Sequence, residues 1–306
     1  MSILVTGATG FIGSSLVEAL LDKGFRVVGV GRRSKGLLTE QVLRNKNFKL
    51  LQMDLASCLN EGLKRENISQ IIHSAALLPG PGISLDEYYN ANVSSTQRLL
   101  DWCSNRNIAQ VIFISTLSVF GEKPEENTLI EKICPKPISH YGISKFMAEM
   151  LIRMELRESG IQASIVRFPS IVGKNASDGI VCHFYECAKH NKDIEVFSKG
   201  ERHRSLLHIS GVVKIILQLL EKKESLGDYE MFFGGSCDSM SVFDIATFIR
   251  DYLGSRSKIK LVPSFPPTDW DVFVNTSKIE NVLGSKPPRI KEELEKYLSE
   301  MISEKS

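Results

Sequence analysis

Short apolar runs alternate with longer stretches in which apolar residues recur every three or four positions over the first half of the chain. This alternation is typical of parallel strands joined by crossover helices. Strands are predicted at residues 2–6, 26–30, 48–52, 70–73, 111–115 and 162–166. Helices are predicted at residues 11–23, 85–105 and 141–158. The pattern therefore predicts an α/β fold with a doubly wound parallel sheet of the Rossmann type.

The hydrophobic pattern becomes less regular after residue 166. Helices are predicted at 181–190, 210–221, 241–253 and 290–301, with loops between them, and a proline cluster at Pro263, Pro266 and Pro267 interrupts the chain before the last helix. We therefore expect residues 1–166 to form one domain. Residues 167–306 are expected to form a smaller, irregular α/β region, with some of its segments returning to the first domain.

The composition is that of an ordinary globular protein, with 306 residues, 42% hydrophobic and 24% charged. Lys and Arg exceed Asp and Glu by only two charges, so we expect no nucleic-acid or membrane partner. The chain shows neither a signal-peptide pattern nor an apolar segment of roughly 20 residues. The six cysteines lack the spacing of a zinc site. These features predict a cytoplasmic protein with reduced thiols and no metal.

Three glycines, Gly7, Gly10 and Gly13, follow the first predicted strand and open the first predicted helix. Gly7 and Gly10 allow the backbone to turn tightly and approach a pyrophosphate, whereas Gly13 allows the helix to pack closely on the sheet. The helix then starts at Phe11 and Ile12, where free amides and the positive end of the helix dipole attract phosphate. This turn predicts dinucleotide binding.

The end of the second predicted strand indicates which dinucleotide is bound. An acidic residue there can bind the ribose hydroxyls of NAD, whereas arginine can hold the 2′-phosphate of NADP. The chain reads Gly31-Arg32-Arg33-Ser34 at this point and offers no carboxylate. Because two guanidinium groups suit a phosphate monoester, the sequence favours NADP over NAD, which stays possible.

Tyr141 and Lys145 are four residues apart near the start of a predicted helix and therefore share one face. A nearby ammonium group favours the phenolate and lowers the tyrosine pKa from its usual value of about 10. Such a tyrosine can exchange a proton with a carbonyl or carbinol oxygen. Thr116, at the end of the fifth predicted strand, can donate a hydrogen bond to the same oxygen.

These motifs together resemble the extended short-chain dehydrogenase/reductase family, in its branch of NAD(P)-dependent sugar-nucleotide epimerases, dehydratases and reductases. The resemblance covers nearly the whole chain. Residues 6–13 (TGATGFIG) match the family's cofactor turn, and residues 141–145 (YGISK) match its catalytic pair. Further matches are Asp54-Leu55, 73–76 (HSAA), Asn92-Val93, 114–121 (ISTLSVFG), 167–173 (RFPSIVG), 204–209 and 276–278.

The resemblance implies a role for each matched residue. Tyr141 would be the acid/base, Lys145 its activator and ribose anchor, and Thr116 the hydroxyl partner. The cofactor would further contact Gly7, Gly10, Phe11, Ile12, Gly13, Arg32, Arg33, Asp54, Leu55, Ala75, Asn92 and Pro169. The substrate, a nucleotide sugar, would contact Ser118, Ser170 and Arg204 in a site closed by the second region. The helices predicted at 85–105 and 141–158 would pair in a homodimer, as they often do in the family, or their apolar faces would serve the core of the monomer.

Departures from the family pattern narrow the reaction. Dehydratases carry an Asp-Glu pair where this chain has Leu117 and Ser118, and relatives that epimerise next to a ketone carry a cysteine at Ser118. Reduction of a ketone or 4-epimerisation remains. We predict NADPH-dependent reduction of a nucleotide-linked 4-keto-6-deoxy sugar. The alternatives are an NAD-dependent nucleotide-sugar 4-epimerase and a non-catalytic NADP-binding protein on the same fold.

Other departures concern the substrate's diphosphate. Ser170 replaces an asparagine that relatives use near this group, and Pro266 stands three residues before Asp269, where an arginine is common. The substrate class is thus predicted less directly than the redox chemistry. His73 and His208 lie at strand-like positions, and we expect both to be packed and hydrogen-bonded within the protein.

Overall fold

The computed structural model describes residues 2–57, 61–104, 106–122, 124–125, 128–197, 200–263 and 270–303. The strands are β1 (Ser2–Thr6), β2 (Val27–Gly31), β3 (Phe48–Gln52), β4 (Ile68–His73), β5 (Gln110–Thr116), β6 (Thr128–Leu129), β7 (Gln162–Phe168), β8 (Ser170–Val172), β9 (Ile194–Phe197), β10 (His203–Arg204), β11 (Leu206–His208), β12 (Tyr229–Phe233), β13 (Met240–Ser241), β14 (Ile259–Val262) and β15 (Phe273–Val274).

The α-helices are α1 (Phe11–Asp22), α2 (Glu40–Leu43), α3 (Glu61–Lys64), α4 (Leu85–Tyr88), α5 (Ser95–Cys103), α6 (His140–Leu156), α7 (Ile180–Lys189), α8 (Ile209–Glu221), α9 (Val242–Tyr252), α10 (Ser277–Leu283) and α11 (Ile290–Ser303). A π-helical segment, Tyr89–Ser94, joins α4 to α5. Single 3₁₀ turns occupy Leu117–Val119 and Lys223–Ser225. None of the helices within the described ranges is long and apolar enough to span a membrane.

A seven-stranded sheet has the strand order β12-β7-β5-β4-β1-β2-β3. Strands β1 and β2 pair in parallel, as do β2 and β3, β1 and β4, and β4 and β5. All residues of β1 and of β2 are buried, as expected of central strands with both faces covered. The order reverses between β1 and β4, where doubly wound sheets bind ligands beyond the carboxyl ends of their strands. The predicted doubly wound fold is confirmed.

The chain divides into two compact units. The first comprises Met1–Gly121, Pro135–Arg167 and Val213–Phe232. Its core packs sheet residues such as Leu4, Ile71 and Phe113 with α5 and α6 residues such as Leu99 and Ile152. These residues lie at the apolar positions that produced the alternating pattern of the sequence.

The second unit comprises Glu122–Cys134, Phe168–Val212 and Phe233–Ser306. Its core packs Phe184 of α7, Ile249 of α9 and Tyr297 of α11 against β9. Short strand pairs complete it, namely β8 with β11, β9 with β14, β10 with β13 and β6 with β15. These strands are only two to four residues long, which accounts for the weak periodicity of the sequence after residue 166. Pro266, Pro267 and Asp269 lie outside the described residues.

Two features of the main sheet and its helices differ from the sequence prediction. Strand β12 was not predicted, although it extends the main sheet beside β7. Its pattern is not alternating, because only Phe232 and Phe233 of its five residues are buried. The helix predicted over 85–105 contains the π-helical segment and ends at Cys103. Periodicity predicted this helix but not the local change in its winding.

Candidate active site

The turn between β1 and α1 has room for glycine alone at two of its three glycine positions. Gly7 has a φ of 68°, and a Cβ there would lie 2.9 Å from the backbone N and Cα of Ala75. A Cβ at Gly13 would lie 2.1 Å from the carbonyl oxygen of Gly7. At Gly10 the nearest contact would be 3.3 Å. Gly7 and Gly13 therefore shape the turn, whereas a Cβ at Gly10 would fit after a shift of a few tenths of an ångström.

The start of α1 offers backbone amides to an anion. Gly10 is the N-cap residue and no side chain caps this end, and no acidic residue occurs in the first turn. The first amides of a helix, here those of Phe11 and Ile12, have no partner within the helix and carry the positive end of its dipole. A pyrophosphate fits this donor set.

The two arginines that follow β2 lie beside the glycine turn. Gly31 is buried, and a Cβ there would lie 2.5 Å from the hydroxyl oxygen of Thr9. The amide of Gln52 donates a 3.1 Å hydrogen bond to the carbonyl oxygen of Arg32, which fixes the backbone after the strand. The side chains of Arg32 and Arg33 are exposed. They present two positive charges beside the end of β2, and residues 31–34 include no Asp or Glu.

Asp54 and Leu55 follow β3 at the same edge of the sheet. The Asp54 carboxylate is exposed and accepts a 2.9 Å hydrogen bond from the amide of Ala56. Leu55 is buried in the core of the first unit. The acidic side chain therefore stays at the surface, close to the end of β2, because Gly31 and Gln52 are paired residues of neighbouring strands.

His73 is the last residue of β4, and both of its ring nitrogens contact threonine hydroxyl groups. Its Nδ1 lies 2.7 Å from Oγ1 of Thr6, and its Nε2 lies 2.9 Å from Oγ1 of Thr96. Burial, with a smaller contribution from the charge of Lys145, lowers the pKa of His73 to about 3. The Thr6 hydroxyl oxygen also accepts a hydrogen bond from the amide of Ala75. His73 is thus a neutral, packed residue, as the sequence predicted.

Asn92 lies in the π-helical segment and connects the loop after β4 to α6. Its Oδ1 accepts a 2.7 Å hydrogen bond from the amide of Leu77, and its Nδ2 donates to the carbonyl oxygen of Leu77 and to Oγ of Ser144. Ser144 in turn donates to the carbonyl oxygen of Tyr141. The π-helical winding places the amide between two elements, consistent with the occurrence of such segments at functional sites.

Lys145 points from α6 into the protein and is 2% exposed. Its Nζ donates a 2.8 Å hydrogen bond to the carbonyl oxygen of Ile114 and lies 3.9 Å from the centroid of the Phe113 ring. Burial lowers the pKa of Lys145 to about 7, and the negative charge of Glu149 opposes that shift. The ammonium group is therefore held against β5 and is easily deprotonated above neutral pH.

Tyr141 occupies the first turn of α6, one turn before Lys145 and on the same face. Ser139 caps the helix by accepting a 3.0 Å hydrogen bond from the amide of Gly142. The Tyr141 ring is half-buried and lies 6.1 Å, between centroids, from the ring of Tyr88. The helix start therefore carries a partly accessible phenol beside a buried amine.

Thr116 ends β5 and caps the 3₁₀ turn that follows. Its hydroxyl accepts a hydrogen bond from the amide of Ser118 and donates one to the Ser118 hydroxyl, each 3.1 Å long. A Cβ at Gly142 would lie 2.2 Å from the carbonyl oxygen of Ser118. The turn thus packs directly on the first turn of α6. The structure brings Thr116, Ser118, Tyr141 and Lys145 together at one edge of the sheet.

Three further predicted residues belong to the second unit. Ser170 is exposed at the start of β8, and Pro169 precedes it. The guanidinium of Arg204 donates hydrogen bonds of 3.0 and 2.9 Å to the carbonyl oxygens of His203 and Trp270. Burial and the nearby charge of Arg202 lower the pKa of Arg204. Arg204 is thus a half-buried cation held by backbone carbonyl groups.

A buried ion pair between α6 and β7, on the same helix as Tyr141 and Lys145, was not predicted from the sequence. Glu149 and Arg167 are each 1% exposed and form two hydrogen bonds, of 3.0 Å from Nε and 2.6 Å from Nη2 of the arginine. The Ser115 hydroxyl donates a 2.5 Å hydrogen bond to the same carboxylate. In the sequence, the four-residue spacing of Tyr141, Lys145 and Glu149 could have indicated that Glu149 shares a helix face with the other two residues.

Comparison with known proteins places these features in a wider group. A sequence model described as the NAD dependent epimerase/dehydratase family matches residues 3–233. The chain is 30% identical to the uncharacterized UDP-glucose epimerase YtcB of Bacillus subtilis, over 94% of this chain and 93% of the relative. It is 23% identical to a dTDP-4-dehydro-6-deoxy-D-allose reductase of a Streptomyces species, over 96% and 94% of the two chains.

A similar solved structure is that of the UDP-glucuronic acid 4-epimerase from Bacillus cereus in complex with NAD. It superimposes with a TM-score of 0.86 at 26% identity and covers 100% of both chains. The same enzyme in complex with UDP-glucuronic acid and NAD gives a TM-score of 0.87 at 26% identity, with 99% of both chains covered. The similarity therefore extends over both units.

Proposed function

Because the chain belongs to the NAD-dependent epimerase/dehydratase family and is an NAD(P)-dependent enzyme of the extended short-chain dehydrogenase/reductase type, we propose that it reduces a nucleotide-linked 4-keto-6-deoxy sugar with NADPH. The observation that carries this proposal is the exposed pair Arg32-Arg33 directly after β2, in a stretch, residues 31–34, that contains no Asp or Glu. Two guanidinium groups there suit a 2′-phosphate. The similarity to the Streptomyces reductase is further support.

Tyr141, Lys145 and Thr116 have separate roles in the proposed proton transfer. When bound, NADPH supplies a hydride to the carbonyl carbon. Tyr141 donates its phenolic proton to the carbonyl oxygen, and the ammonium group of Lys145 stabilises the phenolate that remains. Thr116 donates a hydrogen bond to the same oxygen, which stabilises the charge that develops there. We propose these three as the catalytic residues.

The proposed cofactor contacts follow the strand ends. The glycine turn and the start of α1 would bind the pyrophosphate, the arginines would bind the 2′-phosphate, and Lys145 and Tyr141 would contact the nicotinamide ribose. Buried Asn92 acts by holding the loop after β4. The remaining proposed contacts are Asp54 and Leu55 for the adenine, and Ala75 and Pro169 towards the nicotinamide half. Ser118, Ser170 and Arg204 are the proposed contacts of the nucleotide sugar.

A cofactor titration tests the role of the arginines. We expect the wild-type protein to bind NADPH at least tenfold more tightly than NADH, and the double variant Arg32→Ala, Arg33→Ala to lose that preference. Lys35→Ala is the matched control, because Lys35 is an exposed cation two residues further on and pairs with Glu40 at 2.6 Å. Its preference should equal that of the wild type. An unchanged preference in the double variant contradicts the assignment to NADP.

A turnover assay tests the reaction itself. Purified protein is mixed with NADPH and a dTDP-linked 4-keto-6-deoxyhexose, and oxidation of NADPH is followed at 340 nm while the sugar product is identified. Tyr141→Phe should bind NADPH as the wild type does and lose turnover, because it lacks the proton donor. Turnover equal to that of the wild type in this variant would show that another group supplies the proton.

A 4-epimerase is the second candidate, because the similar solved structures are of 4-epimerases, including one in complex with UDP-glucuronic acid and NAD. An epimerase retains its cofactor through oxidation and reduction, whereas a reductase exchanges it at each turnover. Tightly retained NAD, together with interconversion of two UDP-sugars without net cofactor oxidation, would establish epimerisation. Stoichiometric consumption of NADPH with release of NADP⁺ would establish reduction.

We also propose that the protein is a cytoplasmic homodimer, paired through α5 and α6. Cys103, Cys182, Cys187 and Cys237 are free thiols, which suits a reducing compartment. Met147, Met150, Met154 and Tyr89 expose apolar side chains on neighbouring helices, with Met154 64% exposed. Met150→Lys should yield a monomer in light scattering, whereas Leu261→Lys, a control at an exposed leucine of the second unit, should not. A dimer that persists in Met150→Lys contradicts this interface.

A further inference from the structure

The inward face of α6 continues beyond the proposed catalytic pair to a third polar residue. Tyr141, Lys145 and Glu149 follow one another at four-residue intervals, so their Cβ atoms lie roughly 5–6 Å apart along one face. Glu149 is 1% exposed. An ionised carboxylate at such a position requires partners, because transfer of an unpaired charge from water into the protein interior is costly. The proposed reaction gives it no role.

The partners of Glu149 come from two adjacent strands of the main sheet. Arg167 of β7 forms a two-point ion pair with the carboxylate, and Ser115 of β5 donates a hydrogen bond to it. Two charge-assisted bonds in a planar arrangement fix orientation as well as distance. The carboxylate therefore fixes the position of α6 against the ends of both strands.

The same stretch of β5 also holds the proposed catalytic side chains. Ile114 accepts the hydrogen bond of Lys145, Ser115 donates to Glu149, and Thr116 begins the turn that packs on the start of α6. Consecutive residues of one strand thus contact the ammonium group, the carboxylate and the turn at the proposed reaction site. A shift of α6 along β5 would disturb all three contacts at once.

The charges around Lys145 show how the Glu149 carboxylate affects the protonation of the amine. The groups that face its ammonium are Phe113 and the carbonyl oxygen of Ile114 from β5, His73 from β4 and Glu149 from α6. His73 is neutral, because its pKa is lowered to about 3. Glu149 contributes a negative charge that favours the protonated amine and opposes the effect of burial.

We propose that Glu149 is a positioning residue of the reaction: with Arg167 and Ser115 it fixes α6 against β5 and β7, and its charge keeps the Lys145 amine protonated next to Tyr141. This inference rests on the proposed function, in which the ammonium group stabilises the Tyr141 phenolate. It assigns the ion pair a task beyond holding the fold together. The ion pair would set the pH range in which the enzyme is active.

Direct measurement of the Lys145 pKa tests the electrostatic part without cofactor or substrate. Protein labelled with ¹³C at the lysine Cε is titrated by NMR, and Lys145→Met identifies the resonance. We expect Glu149→Gln to lower the Lys145 pKa by about one unit or more, since an opposite charge within reach shifts a pKa by 1–3 units. Glu155→Gln, on the exposed side of the same helix, should leave it unchanged. An unshifted pKa in Glu149→Gln overturns the inference.

The pH profile of kcat/KM for the sugar tests the link to the reaction. Activity should fall as the pH rises through the Lys145 pKa, and this alkaline limb should move to lower pH in Glu149→Gln by the same amount as the NMR shift. If the wild type turns over but the limb of Glu149→Gln does not move, this inference fails and the proposed function stands. If the wild type transforms no nucleotide sugar, the proposed function fails instead.

A second variant covers the risk that Glu149→Gln leaves Arg167 buried without its counter-ion and fails to fold. The double variant Glu149→Gln, Arg167→Gln removes both charges and keeps polar side chains at both positions. Its Lys145 pKa should also fall, but by less than in Glu149→Gln, because the positive charge of Arg167 is removed as well. Ser115→Ala retains the ion pair and should keep the wild-type pKa to within a few tenths of a unit. A double variant with the wild-type pKa overturns the inference.

Discussion

Gly13 and Gly10 have different roles in the glycine turn: Gly13 allows close packing, and Gly10 leaves room for the proposed pyrophosphate. Alanine substitution at each position should distinguish these roles. A Cβ at Gly13 would meet the Gly7 carbonyl oxygen at 2.1 Å, about 1.2 Å closer than a Cβ at Gly10 would. The clash is between backbone and a rigid helix, and no side chain can rotate away from it. Overpacking of this kind costs about 1–3 kcal/mol, and we place Gly13→Ala at the upper end.

A loss of about 3 kcal/mol corresponds to a fall in Tm of roughly 6–12 °C, at 2–4 °C per kcal/mol for a unit of this size. Gly10→Ala should behave differently. Gly10 has a φ of −93°, which alanine adopts without strain, and its Cβ would project where we propose the pyrophosphate to bind. We therefore expect the Tm of the Gly10→Ala apo protein to stay within about 2 °C of wild type, and its Kd for NADPH to rise at least tenfold, about 1.4 kcal/mol.

Thermal unfolding with and without NADPH measures both effects. Saturating NADPH at 100 times its Kd should stabilise the wild type by about 2.7 kcal/mol, and a Gly10→Ala protein with a tenfold higher Kd should retain only about half of this, about 1.4 kcal/mol, at the same concentration. Two results would refute the reasoning. One is a Gly13→Ala protein with the wild-type Tm, and the other is a Gly10→Ala protein that is as destabilised as Gly13→Ala.

Three further predictions concern the surroundings of the site. Gly142→Ala, whose Cβ would lie 2.2 Å from the Ser118 carbonyl oxygen, should lower kcat at least tenfold with an unchanged Kd for NADPH. Tyr88→Phe removes the hydroxyl that accepts a hydrogen bond from the amide of Gly80 and should cost about 1–2 kcal/mol in urea unfolding; an unchanged midpoint contradicts it. His73 binds a proton near pH 6.5 in the unfolded state but only near pH 3 in the folded state. The free energy of unfolding should therefore fall by about 2 kcal/mol when the pH is lowered from 6.5 to 5, and the fall should be smaller in His73→Gln.

The cofactor side of the site could be predicted from the sequence because its signals are local. Gly7, Gly10 and Gly13 occur within one turn, and the arginines follow the end of a strand whose bounds periodicity already indicates. The chemistry of each group also depends on neighbours that are close in the chain. Such features need no knowledge of which distant segments come into contact.

Contacts between distant segments could not be predicted in this way. Glu149 pairs with Arg167 across 18 residues, and Asn92 donates to Ser144 across 52. A pattern of apolar residues shows which side chains are buried but not which polar groups meet inside. For the same reason the low pKa of Lys145, which depends on its burial against β5, was not foreseen. The sequence predicted the ammonium group of Lys145, but only the fold shows the burial that lowers its pKa.

The π-helical segment places an extra residue in the winding between α4 and α5, and this makes the chain length there critical. Each residue of an α-helix advances the rotation by about 100°. Deletion of one residue within Tyr89–Ser94 would restore regular α-helical winding and leave Leu99 and Trp102 in phase with the core they now enter, because the π-helical turn absorbs that one residue. The change would fall on Asn92, whose hydrogen bonds to Leu77 and Ser144 are made from the widened turn. A one-residue deletion here should therefore leave the core of the first unit packed but remove the contacts by which Asn92 holds the loop after β4.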